Sequence, residues 1–274
     1  MKKVRRFIRV SMVISAFMGF WGGAVIFAWT VMPLVWLFGG RNDKSRILTC
    51  QRVIKRAFLI FHGYMRALTL LDARVSGVIP RRPNGGPVVM VVNHTTLVDV
   101  TAIMSHFPTV VTMAKASIAD NFLVGRVLKM CGHVSTGRDG TARATAMVRM
   151  AERLKQGFDV LIFPEGTRSP PGGLNPFHRG AFEIACRADV PLVLLRSRCE
   201  PSALTKDRAF WNQPDEVAVL TIEPWKVLEP RDFESNSRAL KAHAEQAYNQ
   251  DLGLTFAQEE FVTHDDVDGT RAAN

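Results

Sequence analysis

Charge is missing from a long stretch of this 274-residue chain: no Asp, Glu, Lys or Arg occurs from Val10 to Gly40. The run is too long for a buried helix of a soluble domain and long enough to cross a bilayer. Acidic residues are scarce at the same end. Residues 1–82 hold 15 Lys and Arg against Asp43 and Asp72, a net charge of +13, while the remainder carries −3. Cysteine is sparse too. Cys50, Cys131, Cys186 and Cys199 form no CxxC pair, which removes support for a structural zinc site and reads as reduced thiols in a cytoplasmic environment. There is no internal repeat. There is also no GxSxG segment, which argues against a serine-dependent lipid hydrolase.

What is present at the N-terminus is basic and apolar. Lys2, Lys3, Arg5, Arg6 and Arg9 precede the uncharged run in the manner of a signal peptide, but the run is too long for a signal core and lacks a small-residue cleavage site. It reads as a retained anchor. A single span would place the remainder outside the cytoplasm. A helical hairpin would keep both ends on one face. Arg41, Lys44 and Arg46 oppose translocation and favour the one-sided arrangement, and Gly19, Gly22, Gly23 and Pro33 permit breaks within the run. From Arg52 to Leu71, Val53, Ala57, Ile60, Tyr64 and Leu68 recur at helical spacing among basic residues. That segment is either an amphipathic helix packed on the domain or a second membrane-associated helix. Basic charge beside an apolar run fits anionic lipid better than nucleic acid.

Beyond a turn-rich segment at 80–86, short apolar runs alternate with helical patterns. Strands are expected at Val88–Val92, Val110–Met113, Val160–Phe163, Pro191–Leu195 and Glu216–Ile222. Helices are expected at 99–106 (stopped by Pro108), 118–130, 141–156, 182–187 and 237–248. The pattern predicts an α/β domain with a largely parallel central sheet flanked by helices, carrying an N-terminal membrane-associated two-helix element. The expected organisation is residues 1–74 for the anchor and amphipathic helix, 75–262 for the α/β domain and 263–274 for a polar tail.

Two polar clusters follow apolar strands, where α/β folds collect their chemistry. The first is Asn93-His94-Thr95-Thr96-Leu97-Val98-Asp99. His94 suits a general base, and a turn into a helix would return Asp99 to the imidazole to fix its tautomer. An acceptor hydroxyl could then attack an acyl donor without a serine nucleophile. The second is Phe163-Pro164-Glu165-Gly166-Thr167-Arg168-Ser169. Gly166 permits a tight turn, Arg168 offers a fork for phosphate, and Thr167 and Ser169 add hydroxyls. Glu165 can position either Arg168 or the acceptor hydroxyl. Each cluster alone is also compatible with a solvated turn. Phe122 and Leu123 fit an acyl-chain groove or the core.

His94 and Asp99 in NHxxxxD, followed by FPEGTRS at 163–169, resemble the glycerolipid acyltransferase family over roughly residues 50–230. The resemblance implies that His94 is the general base, Asp99 its orienting partner, and Glu165, Gly166 and Arg168 the acceptor-binding motif. Arg138 matches the family's intermediate arginine, although Thr136 and Gly137 replace the usual neighbours. Val190-Pro191-Leu192-Val193 fits the last motif loosely, since a second proline is missing. Arg179 lies in a basic-glycine segment with His178 where lysine is common, and Lys115 is an extra candidate phosphate contact. With Asn93, Pro164, Ser169, Arg179 and Pro191 supporting the motifs, the implied reaction needs no metal or other cofactor. It moves an acyl chain from acyl-CoA or acyl-carrier protein to a lysophospholipid hydroxyl, foremost 1-acyl-glycerol-3-phosphate. The implied setting is the cytoplasmic face of a bacterial inner membrane, with membrane lipids and carrier protein as partners and no nucleic acid. A different lyso-lipid or glycolipid acceptor, a noncatalytic membrane scaffold, and a lipid hydrolase in which His94 activates water are the competing readings.

Overall fold

Three apolar strand runs are buried on both faces, as in a parallel sheet covered by helices on each side. The computed structural model describes residues 2–253 apart from Pro108 and Phe210; the expected tail at 263–274 lies outside the described residues. Its seven strands are β1 (Leu71–Val75), β2 (Val89–Val92), β3 (Val110–Ala114), β4 (Val134–Ser135), β5 (Asp159–Ile162), β6 (Leu192–Glu200) and β7 (Ala218–Leu228), in spatial order β1-β7-β6-β2-β5-β3-β4. Every neighbouring pair is parallel except β6–β7. The carboxyl ends of β6, β2, β5, β3 and β4 therefore share one edge.

Period-two alternation divides the sheet's side chains between two cores. Met90, Val92, Leu161, Val193 and Leu195 face one side, where they cluster with Val13 and Met65 of the N-terminal helices and with Ile103 of α4 (Asp99–His106). Val89, Val91, Val160, Leu192 and Leu194 face the other, against Met150 of α7 (Gly140–Lys155), Phe182 of α8 (Gly180–Ala188) and Tyr248 of α9 (Ser237–Asp251).

The N-terminal element is a hairpin. Helix α1 (Lys2–Ile26) runs through a π-helical turn at Phe27–Val31 into α2 (Met32–Phe38). The wider turn falls just before Pro33, whose missing N–H cannot continue an α-helical ladder. Residues 6–38 form a helix apolar and long enough to cross a membrane, and little of it is buried in the protein. Asn42 and Ser45 then form a reciprocal cap that starts α3 (Asp43–Ala67). Helix α3 packs back on α1, with a hydrogen bond of 2.5 Å between Ser15 Oγ and Tyr64 Oη and with the Phe20 and Phe61 rings 5.1 Å apart.

Several boundaries differ from the sequence-based expectations. The helix expected at 52–71 begins earlier and stops at Ala67, where Thr69 turns left-handed (φ 52°) and frees Leu71–Val75 to join the sheet as β1. This strand crosses the expected 74/75 boundary. The 80–86 segment is fastened to the domain rather than free. Arg81 donates to both carboxylate oxygens of buried Asp159 (2.9 and 2.6 Å), and Arg82 reaches Asp189 and Glu229. The helix expected at 118–130 breaks into α5 (Ala116–Ala119) and α6 (Gly125–Met130). Asn121 Oδ1 accepts from the Leu123 N–H between them, and Gly125 sits so near Ala119 that an added Cβ would lie 2.1 Å from its carbonyl oxygen. Phe122 is 71% exposed with its ring 4.6 Å from Trp29, so it is not core. Strand β4 is too short for the hydropathy pattern to declare. All four cysteines are free thiols, and Cys186 alone among them is not buried.

Arg9 fastens the start of α1 to the domain. Its buried guanidinium donates to the carbonyls of Thr69 (2.6 Å), Glu216 (2.9 Å) and Pro214 (3.0 Å). Arg9→Ala strands three carbonyls and is expected to cost about 2–4 kcal/mol in urea unfolding. An unchanged midpoint and slope would show that the helix is held elsewhere. A second consequence concerns pH. His133 is half-buried, its Nδ1 accepts the Thr112 N–H at 3.2 Å, and desolvation, with Arg153 as a lesser cause, pushes its pKa down to about 4. The unfolded imidazole binds a proton near pH 6.5, so the unfolded state holds more protons between those values. His133 should therefore withdraw up to about 3 kcal/mol of stability as pH falls from 6.5 to 4. His133→Gln should flatten that part of the stability profile, which denaturant titration at several pH values measures.

Candidate active site

Strand β2 ends at Val92, and the chain delivers Asn93 and His94 to the carboxyl edge of the sheet. Asn93 is buried and pairs reciprocally with Ser197 of β6. Its Nδ2 donates to the Ser197 carbonyl and its Oδ1 accepts the Ser197 N–H, both at 2.8 Å. The chain then turns through Thr96 to Val98, and Asp99 opens α4, where a carboxylate meets unpaired helix N–H groups. Asp99 is fully buried. Its Oδ2 lies 2.8 Å from His94 Nδ1 and accepts the Thr96 N–H at 3.0 Å, while its Oδ1 accepts the Ser197 hydroxyl at 3.1 Å. With the carboxylate accepting, Nδ1 carries the imidazole proton and Nε2 presents its lone pair. The His94 side chain keeps 17% of its surface exposed, and the Phe163 ring lies 4.3 Å from its own.

Glu165, after β5, is also buried. Its Oε1 accepts the Ser169 hydroxyl (2.5 Å) and the His94 N–H (3.2 Å), and its Oε2 accepts the backbone and side-chain N–H groups of Asn175 (2.8 and 2.9 Å). Ser169 returns a backbone N–H to the His94 carbonyl at 2.7 Å. The carboxylate thus joins the two motif loops and is not bonded to the Arg168 guanidinium, which was one of the two roles expected for it. Gly166 stands at φ +64°, with His178 ring atoms 3.2 Å from where a Cβ would sit, so both conformation and space call for glycine. Pro164 is buried and its carbonyl accepts the His178 N–H at 2.8 Å. Thr167 and Arg168 are half-buried beside this turn, and Arg168 Nη1 donates to the Leu204 carbonyl at 2.7 Å.

The remaining candidates spread out. Lys115 is exposed at the end of β3. Arg138 follows the edge strand β4, three strands from β2, and is exposed in an ion pair with Asp120 at 2.9 Å. Arg179 precedes α8 and donates from Nε to Glu183 at 2.6 Å. Pro191 stands at the amino end of β6, the opposite edge from His94, where its carbonyl accepts the Val89 N–H. It supports strand pairing there and is not part of the cluster. Ser197, Asn175 and Leu204 belong to the cluster from outside the two motifs, and Thr96, within the first motif, contributes its backbone N–H to Asp99. The site's Asn93–Ser197 partners are 104 positions apart, and no local pattern links them.

A half-buried histidine held by a buried carboxylate at the carboxyl edge of an α/β sheet has the geometry general-base chemistry requires. Comparison with known proteins specifies it. The family model described as Acyltransferase matches residues 74–196. The 1-acyl-sn-glycerol-3-phosphate acyltransferase alpha of Bos taurus is 30% identical over 220 residues, covering 78% of this chain and 73% of that protein. The 1-acyl-sn-glycerol-3-phosphate acyltransferase beta of Homo sapiens is 33% identical over 158 residues, 56% of this chain and 57% of its own. The crystal structure of the 1-acyl-sn-glycerophosphate acyltransferase PlsC from Thermotoga maritima shares the fold, with a TM-score of 0.67 at 20% identity over 92% of this chain and 97% of that one. The chain belongs to the glycerolipid acyltransferase family and is an acyltransferase.

Two substitutions separate chemistry from architecture. Asp99→Asn keeps the shape but no longer fixes the proton on Nδ1, and kcat is expected to fall roughly 10³-fold or more. Glu165→Gln turns an amide N–H₂ toward donors and should cost about 3 kcal/mol of stability along with activity. Lost activity at an unchanged melting temperature would instead mean that Glu165 meets the substrate.

Proposed function

We propose that this acyltransferase transfers a fatty acyl chain to the free hydroxyl of 1-acyl-glycerol-3-phosphate, giving phosphatidate. The donor is a thioester, acyl-CoA or acyl-carrier protein. The observation that carries the reading is His94, held by buried Asp99 with Nε2 unengaged, in a chain whose relatives are named for acylating 1-acyl-sn-glycerol-3-phosphate. Nε2 takes the acceptor's hydroxyl proton as the oxygen attacks the thioester carbonyl. A C–O bond forms, the C–S bond breaks, and the proton passes from the imidazolium to the departing thiolate. Asp99 holds the ring in one tautomer throughout. Arg168 is assigned the acceptor phosphate, because it follows β5, the neighbour of β2, whereas Arg138 is three strands away and paired with Asp120. Lys115, just past the end of the intervening β3, is a second contact for the same anionic group.

The enzyme is placed on one face of the membrane, the cytoplasmic leaflet, with its hairpin in the lipid. Arg9 ties the start of α1 to the domain, while the π-helical turn and α2 meet α6 further along the same domain. A helix fastened at both ends to one domain is poorly disposed to carry those ends to opposite sides of a bilayer. Its apolar surface is exposed at Phe7, Phe17, Met18, Leu34 and Phe38, and the basic residues of 1–82 suit anionic headgroups.

The test is product mass spectrometry on detergent-purified protein given lysophosphatidate and labelled acyl-CoA, or in a parallel arm acyl-carrier protein, with His94→Ala alongside. Labelled phosphatidate from the native protein and a loss of at least about 10³-fold in the variant are expected. Equal product from the variant would remove His94 from the chemistry. Labelled free fatty acid in place of phosphatidate would make the protein a hydrolase.

A further inference from the structure

We propose that Leu204, in the loop joining β6 to β7, is a positioning residue that sets Arg168 against the catalytic loop and so fixes where the acceptor's phosphate sits relative to His94. The assignment rests on the proposed role of Arg168 as the phosphate contact. The Leu204 carbonyl is shared: it accepts Arg168 Nη1 at 2.7 Å and the Leu97 N–H at 3.2 Å. Leu97 lies inside the turn that returns Asp99 to His94. One oxygen atom therefore bonds both motifs at points that Glu165 does not reach. The other end of Arg168 is held too, since its carbonyl accepts Asn175 Nδ2 at 3.1 Å. With Nη1 engaged, Nε and Nη2 retain N–H donors for a bidentate anion.

The backbone of Leu204 takes an unfavourable form to do this. Its φ is +53°, in the left-handed region that leucine rarely enters. That conformation allows its N–H to meet Gln213 Oε1 at 2.8 Å while its carbonyl faces the two motifs. A conformation uncommon for the residue, sustained by a side chain nine positions away and ending on two motif loops, is the pattern expected of a positioning device. The alternative is that Leu204 serves through its side chain, which packs partly buried against the core on the α3–α4 side of the sheet.

Two substitutions at one position distinguish these roles. Leu204→Val retains an apolar side chain but, being β-branched, resists positive φ. Leu204→Gly loses the side chain but enters the left-handed region freely. A backbone role predicts that Val raises KM for lysophosphatidate about tenfold and Gly distinctly less. It also predicts that Val adds little in an Arg168→Ala background, because the two act on one contact. The amide of Leu97, followed by hydrogen exchange without substrate, should exchange faster in Val than in Gly. A larger loss for Gly than for Val, or effects of Arg168→Ala and Leu204→Val that multiply, would overturn the proposal. If the native protein makes no phosphatidate, the proposed acceptor falls, while Leu97 exchange still decides whether Leu204 holds the catalytic loop.

Discussion

A carboxylate taken out of water must find donors, because an unpaired buried charge is among the costliest features a fold can carry. Glu165 is that carboxylate here. Its four donors come from the loop after β2 and from the loop after β5, so satisfying one buried charge obliges two strand ends to meet in one arrangement. The Asn93–Ser197 pair does the same between β2 and β6 with neutral groups. The histidine between them inherits a fixed backbone on both sides. The family motif residue Glu165 is in this sense architectural: it builds the floor on which His94 and Arg168 stand.

The chain separates its basic, apolar N-terminal element from its candidate catalytic edge by composition but joins them by contact. Positive charge is concentrated in the first 82 residues. Yet α3 is not an appendage. It packs on α4, the helix that begins with Asp99, through His62, whose Nε2 lies 3.1 Å from the Thr101 hydroxyl. Thr101 gives its own proton to the Val98 carbonyl at 2.8 Å, so the buried imidazole is left as the donor of that pair. Helix α3 thus packs against the helix that carries Asp99, and the N-terminal element shares a core with it.

The parts legible in the sequence were those governed by local rules. Strands buried on both faces read as apolar runs, and the four residues between His94 and Asp99 are enough for a turn and the start of a helix. Elements governed by distant partners were not legible. β1 reads Leu-Asp-Ala-Arg-Val, polar enough for a helix end, and becomes a strand through its pairing with β7. The break between α5 and α6 depends on Gly125 lying against Ala119, a contact no propensity encodes. Ser197 is an unremarkable serine within a strand until β6 is laid beside β2. Leu204 carries no signal at all, since local propensity does not place a leucine at φ +53°, and its carbonyl meets the two motif loops only once the chain is folded.

The neighbour relation of β2 and β5 also bears on why this edge would suit the glycerol phosphate proposed as acceptor. Adjacent strands stand about 4.8 Å apart, so loops leaving their ends can offer a base and a cation to two groups on one small molecule. A phosphate and a hydroxyl on the same glycerol are separated on that scale, whereas β4 stands two further strands away. Selection for the acceptor would then lie less in any one cation than in the spacing between two loops. Glu165 ties the two loops to each other, and the Leu204 carbonyl adds a second tie between them. In the proposed reaction an acyl donor would impose no comparable demand on this pair, since its carbonyl would need only to be reached by a hydroxyl already set beside His94.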